Sequence, residues 1–129
     1  MIRPSVTFLL WLAIAAFVVL NDAVGDTWIG LTLPVRAVEW YKALVPLPYV
    51  AMLAIIHARR TAGPRWLDAA LLAAVLWPPS TALVDFLYMR VIYDVEPVAF
   101  LDRFGGPYPL LVAALFVFPL AAGALIGRR

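Results

Sequence analysis

The sequence predicts an all-α integral membrane protein with four transmembrane helices arranged as two hairpins. Of its 129 residues, 65% are hydrophobic and only 14% are charged, whereas an ordinary soluble domain is about 45–50% apolar and about 25% charged. A chain of this length has too small an interior to hide so much apolar surface from water, so the surplus must face lipid. The apolar residues also collect in four long stretches.

Each stretch is long enough to cross the hydrocarbon core of a bilayer. A crossing helix needs roughly 20 mostly apolar residues, because the core is about 30 Å thick and a helix rises about 1.5 Å per residue. The predicted spans cover residues 5–24, 41–58, 66–88 and 107–127, and residues 1–129 form a single membrane domain.

Basic residues predict the orientation of these spans. Arginines flank the spans on one side, at Arg3, at Arg59, Arg60 and Arg65, and at Arg128 and Arg129. Because loops rich in arginine and lysine stay in the cytoplasm, both termini are expected on the cytoplasmic side of the cell (inner) membrane. The opposite loops mix basic with acidic residues, namely Arg36, Lys42, Arg90 and Arg103 with Asp26, Glu39, Asp94, Glu96 and Asp102.

A weak internal repeat relates the two predicted hairpins. A shift of 59 residues aligns Asp26 with Asp85, and the pair Pro48-Tyr49 with Pro107-Tyr108. One interpretation is a duplicated hairpin with a pseudo-two-fold axis along the membrane normal, as in some transporters. The other is that two unrelated hairpins share an acidic outer loop and a proline at a helix start. Both interpretations stay open.

Three aspartates near the outer ends of the spans are the candidate binding residues. Asp22 and Asp26 share one face of the first span because they are four residues apart, and Asp85 lies in the third span. Ionisable groups at membrane depth are costly and suggest function. One hypothesis is an outer pocket in which Asp26 faces Asp85, with Arg90, Tyr49 and Tyr108 beside them. The alternatives are separate interfacial caps, each paired with a basic residue, and a proton relay.

Two further features concern the inner side. Gly123 and Gly127 form a G-x-x-x-G pair in the fourth span, which predicts a close helix–helix contact, either within the bundle or between copies. His57, the one histidine, lies beside Arg59 and Arg60, and we expect it to contact lipid headgroups.

The composition argues against most catalytic sites. The chain has no cysteine, one histidine and only two serines, Ser5 and Ser80, so no Ser-His-Asp set, thiolate site, metal centre or cofactor is expected. With a net charge of +2, the partners expected are membrane lipids and other membrane subunits or a second copy, not nucleic acid. The leading hypothesis is a non-catalytic accessory subunit of a membrane assembly. The alternatives are a transporter or lipid- or small-molecule-binding protein with an outer aspartate pocket and, less favoured, an enzyme acting on a lipid.

Overall fold

The computed structural model describes residues 3–128, and all regular secondary structure in that range is helical. The α-helices are α1 (Pro4–Thr27), α2 (Val35–Leu44), α3 (Pro46–Arg60), α4 (Trp66–Tyr93), α5 (Pro97–Leu101) and α6 (Tyr108–Ala122). Two short 3₁₀ helices cover Ile29–Leu31 and Asp102–Gly105, and α6 ends in a π-helical turn, Gly123–Gly127. Arg129, one of the predicted cytoplasmic arginines, lies outside the described residues.

The prediction of four apolar helices long enough to cross a membrane is confirmed. The four candidate spans are Pro4–Leu31, Val35–Arg60, Trp66–Tyr93 and Tyr108–Gly127, with 28, 26, 28 and 20 residues. The second is longer than predicted because α2 precedes α3 with only Val45 between them. The first and third also continue beyond their predicted outer ends.

Prolines determine where several of these helices begin. Proline lacks an N–H and has a fixed φ near −65°, both of which suit the first turn of a helix. Pro4, Pro46 and Pro97 occupy that turn in α1, α3 and α5, and Pro107 directly precedes α6. Helix α4 ends at Tyr93, and the next residue, Asp94, adopts a left-handed conformation with φ of 54°. The helix starts are thus largely dictated locally.

The four long helices form a bundle in which α1 and α6 are diagonal to one another. Helix α1 packs against α3 and α4, and α6 packs against the same two helices. A two-fold axis along the bundle would instead place α1 diagonal to α4, its equivalent under a duplicated hairpin. The observed neighbours among residues 3–128 therefore do not have the pseudo-two-fold arrangement that the internal repeat suggested. The two-hairpin interpretation stays a prediction.

Small residues let α3, α4 and α6 approach closely. Buried alanines line their facing sides: Ala54, Ala58, Ala69, Ala70, Ala73, Ala74 and Ala122. A Cβ placed on Gly123 would lie 3.0 Å from the Cβ of Ala70, and one on Gly127 would lie 3.4 Å from the carbonyl oxygen of Ala58. The G-x-x-x-G pair thus lies at helix crossings inside the bundle.

His57 is not exposed as expected. It is only 1% exposed, and its Nε2 forms a 2.7 Å hydrogen bond with the hydroxyl of Thr7 on α1. The indole of Trp77, on α4, packs edge-on against the His57 ring and donates a hydrogen bond to the Thr7 carbonyl. Because α3 directs this side chain inward, His57 joins three helices instead of contacting headgroups.

The bundle has two ends of different charge. Contacts such as the hydrogen bond from the Gly63 amide to the Gly127 carbonyl bring several arginines to one end of the bundle. We call it the basic end, and it holds Arg3, Arg59, Arg60, Arg65 and Arg128. The opposite end, called the acidic end, holds Asp22, Asp26 and Asp85 together with residues 28–45, which include α2, and residues 94–107.

Candidate functional site

Two aspartates are buried side by side at the acidic end. Asp22 on α1 is 1% exposed and Asp85 on α4 is fully buried, and both carboxyl groups lie where these two helices pack together, close enough for their charges to repel one another. Within residues 3–128, one oxygen of each carboxyl group, Oδ2 of Asp22 and Oδ1 of Asp85, has no hydrogen-bond partner. Buried polar atoms are rarely left unpaired, so this pair is the candidate functional site at the acidic end.

Tyr108 and Arg103 complete what we call the buried carboxyl site, made of Asp22, Asp85, Arg103 and Tyr108. The Tyr108 hydroxyl donates a 2.7 Å hydrogen bond to Oδ2 of Asp85. The Nη1 atom of Arg103 lies 3.9 Å from the same oxygen, and the guanidinium stands over the Tyr108 ring, 4.1 Å from its centroid. Asp85 therefore accepts the hydrogen bond of Tyr108 and also lies beside the positive charge of Arg103.

Local structure explains how these two partners reach the site. Tyr108 is the first residue of α6, so the helix start after Pro107 sets its ring at the mouth of the bundle. Arg103 lies on the 3₁₀ turn Asp102–Gly105. The rings of Phe100 and Phe104 pack edge-on against Tyr108, with centroids 6.1 and 5.1 Å away. This aromatic surround keeps the Arg103 side chain only 13% exposed.

Asp26 forms a second polar group one turn further along α1. Its Oδ1 lies 2.6 Å from Nζ of Lys42 on α2, and the Tyr88 hydroxyl donates a 3.5 Å hydrogen bond to its Oδ2. The side-chain amide of Asn21 donates to the Lys42 carbonyl. These contacts hold α2 over the end of the bundle and give Asp26 a counter-charge of its own.

An open cleft lies over both polar groups. It has a volume of about 350 Å³ and brings charged Asp26, Glu39, Lys42 and Arg103 together with apolar Leu33, Val35, Val38 and Met89. Arg103 belongs both to the cleft wall and to the buried carboxyl site. We call this space the acidic-end cleft. Its mixed lining suits a molecule with a polar and an apolar part.

The structure brings together some of the predicted pocket residues and not others. Asp22, Asp85 and Tyr108 meet in the buried carboxyl site, and Asp26 lines the cleft. In contrast to the predicted facing pair, Asp26 binds Lys42, and Asp85 interacts with Asp22.

Two predicted pocket residues lie apart from this group. Tyr49 stacks on Phe17, with ring centroids 4.3 Å apart. Arg90 pairs with Asp94 on the exposed end of α4. Neither residue lines the acidic-end cleft.

Two cations of the site, Arg103 and Lys42, were not among the residues predicted to bind a ligand. In the sequence they stand out only as charges on the outer side of the predicted spans. One signal was available, since both lie on the side of the predicted spans where basic residues are disfavoured. A basic residue retained there, between aromatic neighbours such as Phe100 and Phe104, indicates a specific carboxylate partner.

The charges of the buried carboxyl site do not balance when both acids are ionised. Two carboxylates then face one guanidinium, because Lys42 on α2 already binds Asp26. A net buried charge in a low-dielectric interior is costly and is normally compensated. Within residues 3–128, no three His, Cys, Asp or Glu side chains lie close enough to hold a metal ion. The arrangement can bind a proton or a polar group, and the described part of the chain places neither histidine nor serine there.

No protein family, curated protein or solved structure was found to match the chain. Its function is therefore inferred from geometry and charge.

Proposed function

We propose that this chain is a non-catalytic membrane protein that binds a small amphiphilic molecule in the acidic-end cleft. The observation that carries the proposal is the position of Arg103, which lines the cleft and also pairs with Asp85 inside the bundle. A ligand in the cleft would thus contact a charged group whose other partner lies inside the bundle. Such buried ionisable groups are typical of binding and transport sites in membrane proteins.

The cleft lining supports an amphiphile as the ligand. Lys42 and Arg103 offer donors, Asp26 and Glu39 offer acceptors, and Leu33, Val35, Val38 and Met89 offer apolar contact. A volume of about 350 Å³ is at the small end of typical ligand pockets. A lipid headgroup with the first carbons of its chains, or a small molecule of similar character, fits this combination.

The proposal can be tested by identifying the molecules that remain bound to the protein after purification. We would purify the protein in nanodiscs and identify retained lipids and small molecules by native mass spectrometry. Leu33→Trp places an indole in the cleft, and the matched control Leu87→Trp places one on an exposed face of α4. We expect a retained species in the unmodified protein and the control that is absent from Leu33→Trp. The same species in all three proteins, or none in any, would contradict the proposal.

We also propose that the basic end faces the cytoplasm of a cell whose inner membrane holds this protein. The gathering of the arginines at one end supports this orientation, because positive residues are retained on the cytoplasmic side. Reporter fusions after Arg60 and at the C-terminus should read cytoplasmic, and fusions near Glu39 and Glu96 should read external. A C-terminal reporter found outside would reverse the assignment.

Accessory-subunit function is a second candidate, supported by the exposed apolar side chains of the acidic end. Val98 on α5 is 75% exposed and Leu101 is 63% exposed, although α5 lies outside the four candidate spans. Exposed apolar groups beyond the spans fit a membrane subunit, a second copy or the membrane surface. Because the chain has no cysteine, Val98→Cys provides a single attachment point for cross-linking in membranes. A discrete cross-linked protein band would support this candidate, and cross-links to lipid alone would oppose it.

A further inference from the structure

We infer that the carboxyl groups of Asp22 and Asp85 hold one proton between them, so that the pair is a protonation site inside the membrane bundle. The inference concerns the protein without ligand and does not depend on what the cleft binds. It rests on burial, unpaired oxygens and the balance of charge at this site.

The unpaired oxygens are the first argument. Oδ2 of Asp22 and Oδ1 of Asp85 have no partner within residues 3–128, and both side chains are at least 99% buried. Two ionised carboxylates offer only acceptors and cannot satisfy one another. A single proton on either group turns it into a donor, which can then form a hydrogen bond to the other carboxyl group.

The charged and titratable groups around the pair are the second argument. Tyr108 of α6 donates to Asp85, and Arg103 lies near the same carboxylate. From α2, Lys42 faces the site but is bound by Asp26, which also receives the hydroxyl of Tyr88 from α4. Among residues 3–128, Arg103 is thus the cation available to the two carboxylates. One shared proton brings the buried carboxyl site to neutrality.

The donor set favours a proton over a metal cation. Small hard cations take about six or more oxygen ligands. Here two carboxyl groups and one hydroxyl converge, the hydroxyl already donates to Asp85, and no metal-binding group was found within residues 3–128. A proton needs only the two oxygens that are unpaired.

Infrared spectroscopy of the full-length protein in detergent, free of added ligand, tests the inference. A protonated carboxylic acid has a carbonyl stretching band distinct from that of a carboxylate. We expect this band at neutral pH, at an intensity of one group per protein, shifted in D₂O and unchanged by added sodium ions. Absence of the band, or its loss on adding sodium ions at constant pH, would overturn the shared proton.

Two variants assign the band to the pair. Asp22→Asn should abolish it, because the asparagine amide can donate to Asp85 in place of the shared proton while Arg103 and Tyr108 remain partners of Asp85. Asp94→Asn, on a side chain that is 88% exposed, is the matched control and should leave the band unchanged. A band that survives in Asp22→Asn would refute the assignment, and if that variant does not fold, the band of the unmodified protein still decides. Leu33→Trp, which tests the cleft, should retain the band even where its ligand is lost.

Discussion

Replacing Gly123 with alanine tests the close crossing of α4 and the end of α6. The new Cβ would lie 3.0 Å from the Cβ of Ala70 and 3.1 Å from a ring carbon of Trp66, whereas carbon atoms in contact prefer about 3.5–4.0 Å. The Ala70 methyl cannot rotate away, so the helices would have to separate by several tenths of an ångström. Overpacking of this kind costs about 1–3 kcal/mol.

Helix propensity acts in the opposite direction, which makes the sign of the effect informative. Alanine is favoured over glycine in a helix interior by at most about 1 kcal/mol, so the net loss expected for Gly123→Ala is on the order of 1 kcal/mol. Adding Ala70→Gly removes the methyl that the new Cβ meets at 3.0 Å. We therefore expect the double variant to be more stable than the sum of the two single changes, by about 1 kcal/mol.

The assay is reversible unfolding in mixed micelles of a mild detergent and dodecyl sulfate, followed by tryptophan fluorescence. Gly105→Ala is the control, because a Cβ at Gly105 would meet nothing within 4 Å, and its free energy of unfolding should not fall. A gain in stability for Gly123→Ala, or strictly additive effects with Ala70→Gly, would refute the close approach.

Two more predictions use the same unfolding assay. Tyr108→Phe removes the hydroxyl that donates a 2.7 Å hydrogen bond to Asp85 and should cost on the order of 1 kcal/mol of stability. The control Tyr49→Phe keeps its ring stacking and should cost less. Equal losses would count against the buried hydrogen bond. Thr7→Val breaks the buried hydrogen bond to His57 and should lower the free energy of unfolding by a similar amount. Thr7→Ser keeps the hydroxyl and should lose much less stability than Thr7→Val. Equal losses for the two variants would indicate a packing effect instead.

The candidate site was only partly predictable from the sequence. Asp22 and Asp85 could be recognised because acidic residues in apolar segments stand out whatever the fold. The choice of partner was different: Asp22 and Asp26 lie on the same face of α1, and periodicity cannot tell which of them meets Asp85. Which aspartate meets Asp85 depends on how α1 and α4 cross. The crossing places Asp22 at the contact with α4, and Asp26 forms an ion pair with Lys42 instead.

Arg103 and His57 illustrate the same limit. Arg103 reaches Asp85 through a short turn whose path depends on packing of Phe100 and Phe104 around Tyr108. His57 looks interfacial in the sequence because arginines follow it, yet its position on the helix directs it towards Thr7 and Trp77. A side chain near a span end can face headgroups or the bundle, and only the neighbouring helices determine which.

The sequence by itself determined that the chain forms four helices long and apolar enough to cross a membrane, because apolar composition and helix length are properties of each segment alone. Its prolines also determined where α1, α3 and α5 begin. Only the tertiary structure decided that α1 packs against both α3 and α4, and hence that two carboxyl groups 63 positions apart come together beside one guanidinium. In lipid every face of a helix is apolar enough to pack, so small residues and a few polar contacts determine which helices become neighbours. Whether two such faces fit depends on both helices, and no single segment encodes it.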